Sequence, residues 1–429
     1  MNSIDLGPFP MVDGFAEAAA LDEADPLRSF ADRFVPTEPE LIYLDGNSLG
    51  RLPVSTVSRV GDVVDREWGD QLIRSWPERW WDLADEIGSQ IAPLVGAQPS
   101  EVIVADSTSV VLFKLTVAAL KARPERRRIV TDDLNFPTDA YVTVAAAELA
   151  GSREVVIVPA VDGINGPEDA LVAALDEDTA LLTLTHVAFK SGYRYDMARL
   201  TRAAHAVGAL VLWDLSHSVG AVPVDLGGAE ADLAVGCTYK YLNGGPGSPA
   251  FLYVNTRIDA EVENPLSGWW GHEQPFAFDL AYTPAASIRR FQTGTMPILS
   301  LSSVETGVAL TAEAGIERIR EKSVGLSEYF IEQSQAYLEP LGFALASPAD
   351  PARRGSHVSL RHEDGWRIVQ AMGEHAKVIP DFREPDNLRF GFAPLYTSYT
   401  DVHTAVIRIA HLMDASLPQT YPRTRSAVT

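Results

Sequence analysis

Short, continuous apolar runs alternate with stretches of helical period through the middle of this chain. The runs fall at 101–105, 128–131, 155–158, 180–185, 209–214, 233–237 and 250–254. Segments that stay apolar at every position suit strands buried on both faces, as in a mainly parallel sheet covered by helices. Between them, 110–121 and 197–207 repeat apolar residues at helical spacing. The middle of the chain therefore predicts an open α/β domain. Upstream, Ser55 is a candidate cap for a helix carrying Val57, Val60, Val64 and Trp68 on one face. Downstream of about 305 the pattern changes: a long helix from 303 to about 337, a strand at 355–360, a helix, and a strand at 388–392. A last helix opens at Thr400-Asp401, with Val402, Val406, Ile409 and Met413 as a stripe that reads as core. The expected organisation is an N-terminal segment (1–54) contributing to a small domain and to the active site, a large α/β domain (55–305), and a small α+β domain (306–429).

Composition narrows the class. Of 429 residues, 46% are hydrophobic and 22% charged, too apolar for a disordered chain. With 35 Lys+Arg against 58 Asp+Glu, the formal charge is −23, which opposes nucleic acid and anionic membrane as partners. The one cysteine, Cys237, forbids an internal disulfide and any Cys-based zinc site. The first 26 residues lack the basic region and apolar core of a secretory leader, and no run of about 18 apolar residues exists. A reducing cytoplasm is expected.

The candidate chemistry lies at strand ends. Asp214 ends one apolar run, and 26 residues later Lys240 is expected to end the next strand, just before the Gly/Pro-rich loop 243–247. In open α/β sheets the carboxyl ends of strands form the ligand crevice. Pyridoxal phosphate (PLP) chemistry needs such a pair, a lysine for the Schiff base and a carboxylate to keep the pyridine nitrogen protonated. A surface lysine and an ordinary strand-end aspartate explain the two residues equally well. Asp106-Ser-Thr-Ser109 leads from a strand into a helix, where backbone N–H groups with Thr108 and Ser109 suit a phosphate; a plain helix cap is the alternative. Loop 244–247 lacks the Lys-Ser/Thr of a P-loop. His272-Glu273 has no second histidine at ligand spacing, so no metal is expected.

Seven blocks, in order, make the chain resemble the kynureninase family of fold-type I PLP enzymes over nearly its whole length. They are Leu44-Asp-Gly-Asn-Ser-Leu-Gly50, Asn135-Phe-Pro-Thr-Asp139, Trp213-Asp-Leu-Ser-His-Ser-Val-Gly220, Tyr239-Lys-Tyr-Leu-Asn-Gly-Gly245, Gly268-Trp-Trp-Gly-His-Glu273, Arg354-Gly-Ser-His-Val358 and Leu388-Arg-Phe-Gly-Phe-Ala-Pro-Leu-Tyr396. The fifth and seventh are the most specific. The resemblance implies hydrolytic Cβ–Cγ cleavage of L-kynurenine to anthranilate and L-alanine, or of its 3-hydroxy analogue, in a homodimer with shared active sites. It implies Lys240 as Schiff-base lysine and proton shuttle, Asp214 as pyridinium partner, and Tyr239 as a proton donor or acceptor. Phe136 would stack on the cofactor with Asp139 beside it, and Thr185 and His217 would line its pocket. Thr108, Ser109, Tyr239 and, from the partner subunit, Trp269 and Thr295 would hold the phosphate. Arg389 would clamp the substrate carboxylate, with Asn47 and Ser48 bordering it. Trp76 and Thr295 stand where animal members have a His and an Asn at the aryl end; Trp76 is equally placed to pack a helix against the large domain. Another class V PLP enzyme such as an aminotransferase, and a non-catalytic PLP-fold binding protein, are the alternatives. A cysteine desulfurase would need a mobile loop cysteine, whereas Cys237 falls in a buried-looking strand.

Overall fold

The computed structural model describes residues 14–423. The reading of the N-terminus as no secretory leader falls in part on residues 1–13, which lie outside the described residues. Seven strands form the main sheet: β1 (Val102–Ala105), β2 (Arg128–Asp132), β3 (Glu154–Val158), β4 (Thr179–Thr185), β5 (Leu210–Asp214), β6 (Leu233–Gly236) and β7 (Ala250–Val254). Their spatial order is β1-β7-β6-β5-β4-β2-β3. The pairs from β3 through to β6 are parallel, while β7 runs antiparallel to both its neighbours. Each apolar run became a strand because helices cover both sheet faces. Every residue of β1, β4, β5, β6 and β7 is buried. All strands but β7 point the same way, so their carboxyl ends open on one side.

A second, antiparallel sheet has the order β10-β11-β9-β8, from β8 (Ala344–Leu345), β9 (His357–Arg361), β10 (Asp381–Arg383) and β11 (Asn387–Gly391). It packs on the helices Ile316–Tyr337 and Tyr399–Asp414, sharing a core that includes Leu326, Phe330, Phe390, Val402, Val406 and Ile409. Ala18, Ile42 and Leu44 from the N-terminal segment belong to this same core. The other large cluster runs from Leu83 to Val308 around the main sheet.

Local signals failed in three places, each for a tertiary reason. The upstream helix begins at Val54, with Pro53 rather than Ser55 in the cap position, because Pro53 is fixed in a bridge to Phe34. Its apolar stripe is not core: Val57, Val64 and Trp68 are exposed. The expected long helix from 303 is two helices, Ile298–Ala314 and Ile316–Tyr337, separated at Gly315. The last helix starts one residue early, at Tyr399, where Ser398 and Asp401 form a reciprocal capping box. Its stripe is core as expected, with Val402, Val406 and Ile409 fully buried. No helix among the described residues is long and apolar enough to cross a membrane.

Candidate active site

The carboxyl ends of the main sheet open into a cleft of about 710 Å³. Eleven of the sequence-derived candidates line it: Asn47, Ser48, Thr108, Ser109, Phe136, Asp139, Asp214, His217, Tyr239, Lys240 and Arg389. Asp214 is the last residue of β5, and Lys240 stands in the turn after β6. That turn is seated against the N-terminal loop. The Gly50 N–H donates to the Tyr239 carbonyl at 2.8 Å, and a Cβ on Gly50 would stand 2.3 Å from the Lys240 carbonyl oxygen. Only glycine allows so close an approach.

At the cofactor end, Lys240 Nζ lies 3.1 Å from His217 Nε2 and forms no ion pair among the described residues. Burial holds its ammonium below the usual lysine range. Burial, with Lys240, Arg389 and His357 nearby, holds His217 well below the usual imidazole range, so its ring is neutral. Opposite, Asp139 and Asp214 are both buried and within hydrogen-bonding reach of each other. Burial, then the Asp214 charge, push Asp139 well above the carboxylate range, so Asp139 keeps its proton. The Asp139 position follows from Phe136-Pro137 opening the helix Pro137–Leu149, which places Asp139 in its first turn. Phe136, 40% exposed, holds its ring edge-on to Phe189 at 5.2 Å. Thr108 and Ser109 open the helix Thr108–Ala122; its cap, Ser107, makes no side-chain bond, so first-turn N–H groups face the cleft end without a side-chain partner.

The opposite end of the cleft, the expected substrate end, is built from the other sheet. Arg389, on β11 and 1% exposed, sits directly across from Asp381 on β10. Its guanidinium donates to Asp381 Oδ2 (2.5 Å), Ser48 Oγ (2.8 Å) and the Phe189 carbonyl (2.6 Å). Asn47, in the amide orientation that satisfies both neighbours, accepts from Arg389 Nε at 2.9 Å and donates to Asp45 Oδ1 at 3.3 Å. Asp45 lies 4.0 Å from the guanidinium, and burial with the Asp381 charge raises its carboxyl to about 6. Arg383 and Thr138 also line the cleft and were not among the candidates, as does Ser216, which lacks the glycine pattern of a nucleophile elbow. Arg383 reaches Asp381 at 2.9 Å, so Asp381 bridges two arginines. The pattern Asp-x-Arg, a short turn, then x-Arg was a readable hairpin signal, since residues directly across an antiparallel pair share a face.

Four candidates are not in the cleft lining. Thr185 pairs in register with Asp214, but its hydroxyl donates to the Val187 carbonyl at 3.0 Å. Trp76 packs edge-on against Trp80 (5.2 Å) and Trp270 (5.1 Å), the packing role that was its alternative. Trp269, 42% exposed, and Thr295 face outward from this protomer. His272 is used locally, its Nδ1 accepting from the Gln274 N–H at 2.8 Å. Among the described residues no group of three or more His, Cys, Asp or Glu is placed to hold a metal.

Comparison with known proteins fixes the family. The sequence is 45% identical over 403 residues to kynureninase of Pseudomonas fluorescens, covering 93% of this chain and 95% of that one. It is 44% identical over 420 residues to kynureninase of Burkholderia mallei (strain SAVP1), covering 96% and 99%. The chain belongs to the kynureninase family. The family's C-terminal domain model matches residues 319–409. Among solved structures, the apo cysteine desulfurase of Thermococcus onnurineus NA1 superposes with a TM-score of 0.76 at 18% identity, covering 90% of this chain and 98% of that one. A C-DES mutant with glycine covalently linked to its PLP cofactor gives 0.76 at 17% identity, covering 87% and 97%. These neighbours share the fold-type I architecture. They do not carry over desulfurase chemistry: Cys237 is buried just past β6, and burial raises its thiol.

The kynureninase cofactor, PLP, fits the donor set. A buried carboxylate pair holding one proton suits a pyridinium, an uncapped helix end suits a phosphate, and an unpaired lysine suits an aldehyde.

Proposed function

We propose that this chain is a PLP-dependent hydrolase of C–C bonds that converts L-kynurenine and water to anthranilate and L-alanine. The observation that carries this reading is one cleft with Lys240 beside neutral His217, the Asp139/Asp214 pair opposite, and Arg389 across from them. Thr108, Ser109 and Tyr239 would hold the phosphate, Asp214 the ring nitrogen, and Phe136 the ring face. When bound, PLP supplies an electron sink for negative charge at the substrate α-carbon. Lys240 Nζ, which burial holds below the usual lysine range and so favours as the free amine, would take and return the α-proton, with the neutral His217 ring 3.1 Å away placed to hydrogen-bond it. Arg389 binds the substrate carboxylate, exchanging a present partner for it, while Asn47 and Ser48 hold the guanidinium plane. The nearby Cys237 sulfur, burial and the Asp214 charge all raise the Tyr239 phenol, so it stays protonated and could donate to Cβ or to the γ-carbonyl oxygen. Overall the Cβ–Cγ bond breaks, water oxygen ends on Cγ, and a proton ends on Cβ.

The working unit is a homodimer with shared sites. Support comes from exposed Val57, Val64, Trp68, Leu72 and Ile73, close together in sequence, and from outward-facing Trp269 and Thr295. Trp269 and Thr295 would then complete the partner's site. The organisation into 55–305 and 306–429, with 1–54 joining the second, is supported by the two large hydrophobic clusters, although Val308 belongs to the first and a third, smaller cluster around Phe30, Tyr241, Leu310 and Tyr396 joins all three segments. The compartment is a reducing cytoplasm, consistent with a free buried cysteine. The test is anthranilate release from kynurenine by the purified protein with PLP and no keto acid. A need for added keto acid would point to an aminotransferase; no release at all, from a yellow protein, would reject the substrate.

A further inference from the structure

Beneath the cleft lies a buried charge that none of these steps uses. Lys114, in the helix Thr108–Ala122, has 0% of its side chain exposed. Its ammonium donates to three acceptors from separate parts of the chain: Asp106 Oδ2 at 2.5 Å, the Phe291 carbonyl at 2.8 Å and Thr293 Oγ1 at 2.5 Å. All three of its protons are thereby used. A buried ion pair adds little over apolar packing of the same volume; what it supplies is direction, fixing polar groups to one another.

The groups it fixes belong to two places. Asp106 ends the β1 turn and stands just before Ser107, Thr108 and Ser109. Phe291 and Thr293 flank Gln292, and this stretch is the seat of the Gly268-Trp-Trp-Gly271 block. A Cβ on Gly268 would lie 2.1 Å from the Thr293 carbonyl oxygen, and one on Gly271 would lie 2.5 Å from that of Gln292. The Trp270 N–H donates to the Thr293 carbonyl at 3.3 Å. Thr295 follows two residues later. One ammonium thus touches the approach to this protomer's phosphate end and the support of Trp269 and Thr295.

We infer that Lys114 is a positioning residue that couples the two cofactor sites of the dimer. Through Asp106 it sets the phosphate end of its own cleft; through Phe291 and Thr293 it sets the residues lent to the second copy. The inference rests on the shared-site reading, and hybrid dimers separate the two. First, a Lys240→Ala chain is paired with a differently tagged Trp269→Ala chain. One site of that hybrid combines intact Lys240 and intact Trp269, so anthranilate release should exceed that of either parent homodimer. No gain overturns the shared-site reading and the inference with it.

Next, a Lys240→Ala chain is paired with a chain of native Lys240, and Lys114→Met is placed on one chain or the other. The visible absorption of lysine-bound cofactor reports only the site that keeps Lys240. PLP titration of that band should weaken by about tenfold with Lys114→Met on the Lys240-bearing chain, and by a comparable factor with it on the other chain. Weakening on the Lys240-bearing chain alone, or on neither, with the first hybrid working, overturns the coupling and spares the shared sites. Should Lys114→Met fail to fold, Thr293→Val cuts only the link to the lent segment. It should weaken the band from the opposite chain and leave it unchanged from the Lys240-bearing chain; the reverse, or no effect from either, overturns the inference.

Discussion

The two ends of the cleft solve opposite electrostatic problems. At the cofactor end, two buried carboxyls face each other with too little positive charge nearby, so Asp139 keeps a proton. At the substrate end, a buried guanidinium is already surrounded by Asp381, Ser48, Asn47 and the Phe189 carbonyl. The first end stands ready for a cation-bearing ring to settle the charge. The second already pairs its cation with Asp381, so an incoming carboxylate would exchange one anion for another. The difference follows from scaffold. Parallel strand ends converge carboxylates from separate βα units, whereas an antiparallel hairpin sets Asp381 directly across from Arg389.

The comparison can be broken most sharply at Lys240. Lys240→Ala should lower kcat by at least about 10²–10⁴-fold with the fold intact, read by anthranilate release and circular dichroism. Retained turnover would remove the cofactor end from the chemistry. Arg389→Ala should cost about 2–5 kcal/mol of substrate affinity, seen as a raised KM, with PLP binding unchanged. A matching loss of PLP affinity would mean that the two ends are not independent.

The carboxyl pair gives a finer test. Asp214→Asn should weaken PLP binding by about 1–3 kcal/mol, while Asp139→Asn, replacing a group already neutral, should stay within about 1 kcal/mol of the parent at pH 7. The reverse order would reassign the proton.

Asp45, raised to about 6 at the substrate end, makes a pH prediction. Its folded value exceeds the unfolded one, so between about pH 4 and 6 the native state binds more protons and stability falls as pH rises. Above pH 6 the penalty, at most about 3 kcal/mol, is fully present. Asp45→Asn should remove that share of the slope in denaturant titrations, leaving the share of Asp132, also raised to about 6 by burial. An unchanged slope would show Asp45 to be stabilised by Arg389 after all. Smallest is Ser398→Ala, which breaks the capping box under the second sheet. It should cost about 1 kcal/mol, read as a lowered Tm with PLP affinity unaltered.

Much of this could be read along the chain because the signals were local. Continuous apolar runs marked β1 to β7, and a strand-end Asp followed by a post-strand Lys marked the crevice. The family blocks then pointed to Phe136, Asp139, His217 and Arg389, and all four reached the cleft. What escaped was relational. Arg383 and Asp381 matter only through a hairpin register, and Asp45 only through its distance to Arg389. Lys114 carries no local signal in its mostly apolar helix; its role depends on Phe291 and Thr293, nearly 180 residues on, folding over it. The stripe of Val57, Val64 and Trp68 had the spacing of a core face yet lies exposed, because periodicity reports that a face is apolar and not what covers it.

By itself, then, the sequence determined the class of fold, the lysine and the acid that frame the cofactor, and the acidic exterior that disfavours polyanions. Those properties are written in residue type and short-range period. Only the tertiary structure decided which carboxyl keeps its proton, which partners surround Arg389, and which distant segments one buried lysine ties together. Each depends on desolvation and on charges brought together across long stretches of chain, and neither quantity exists until the chain has folded.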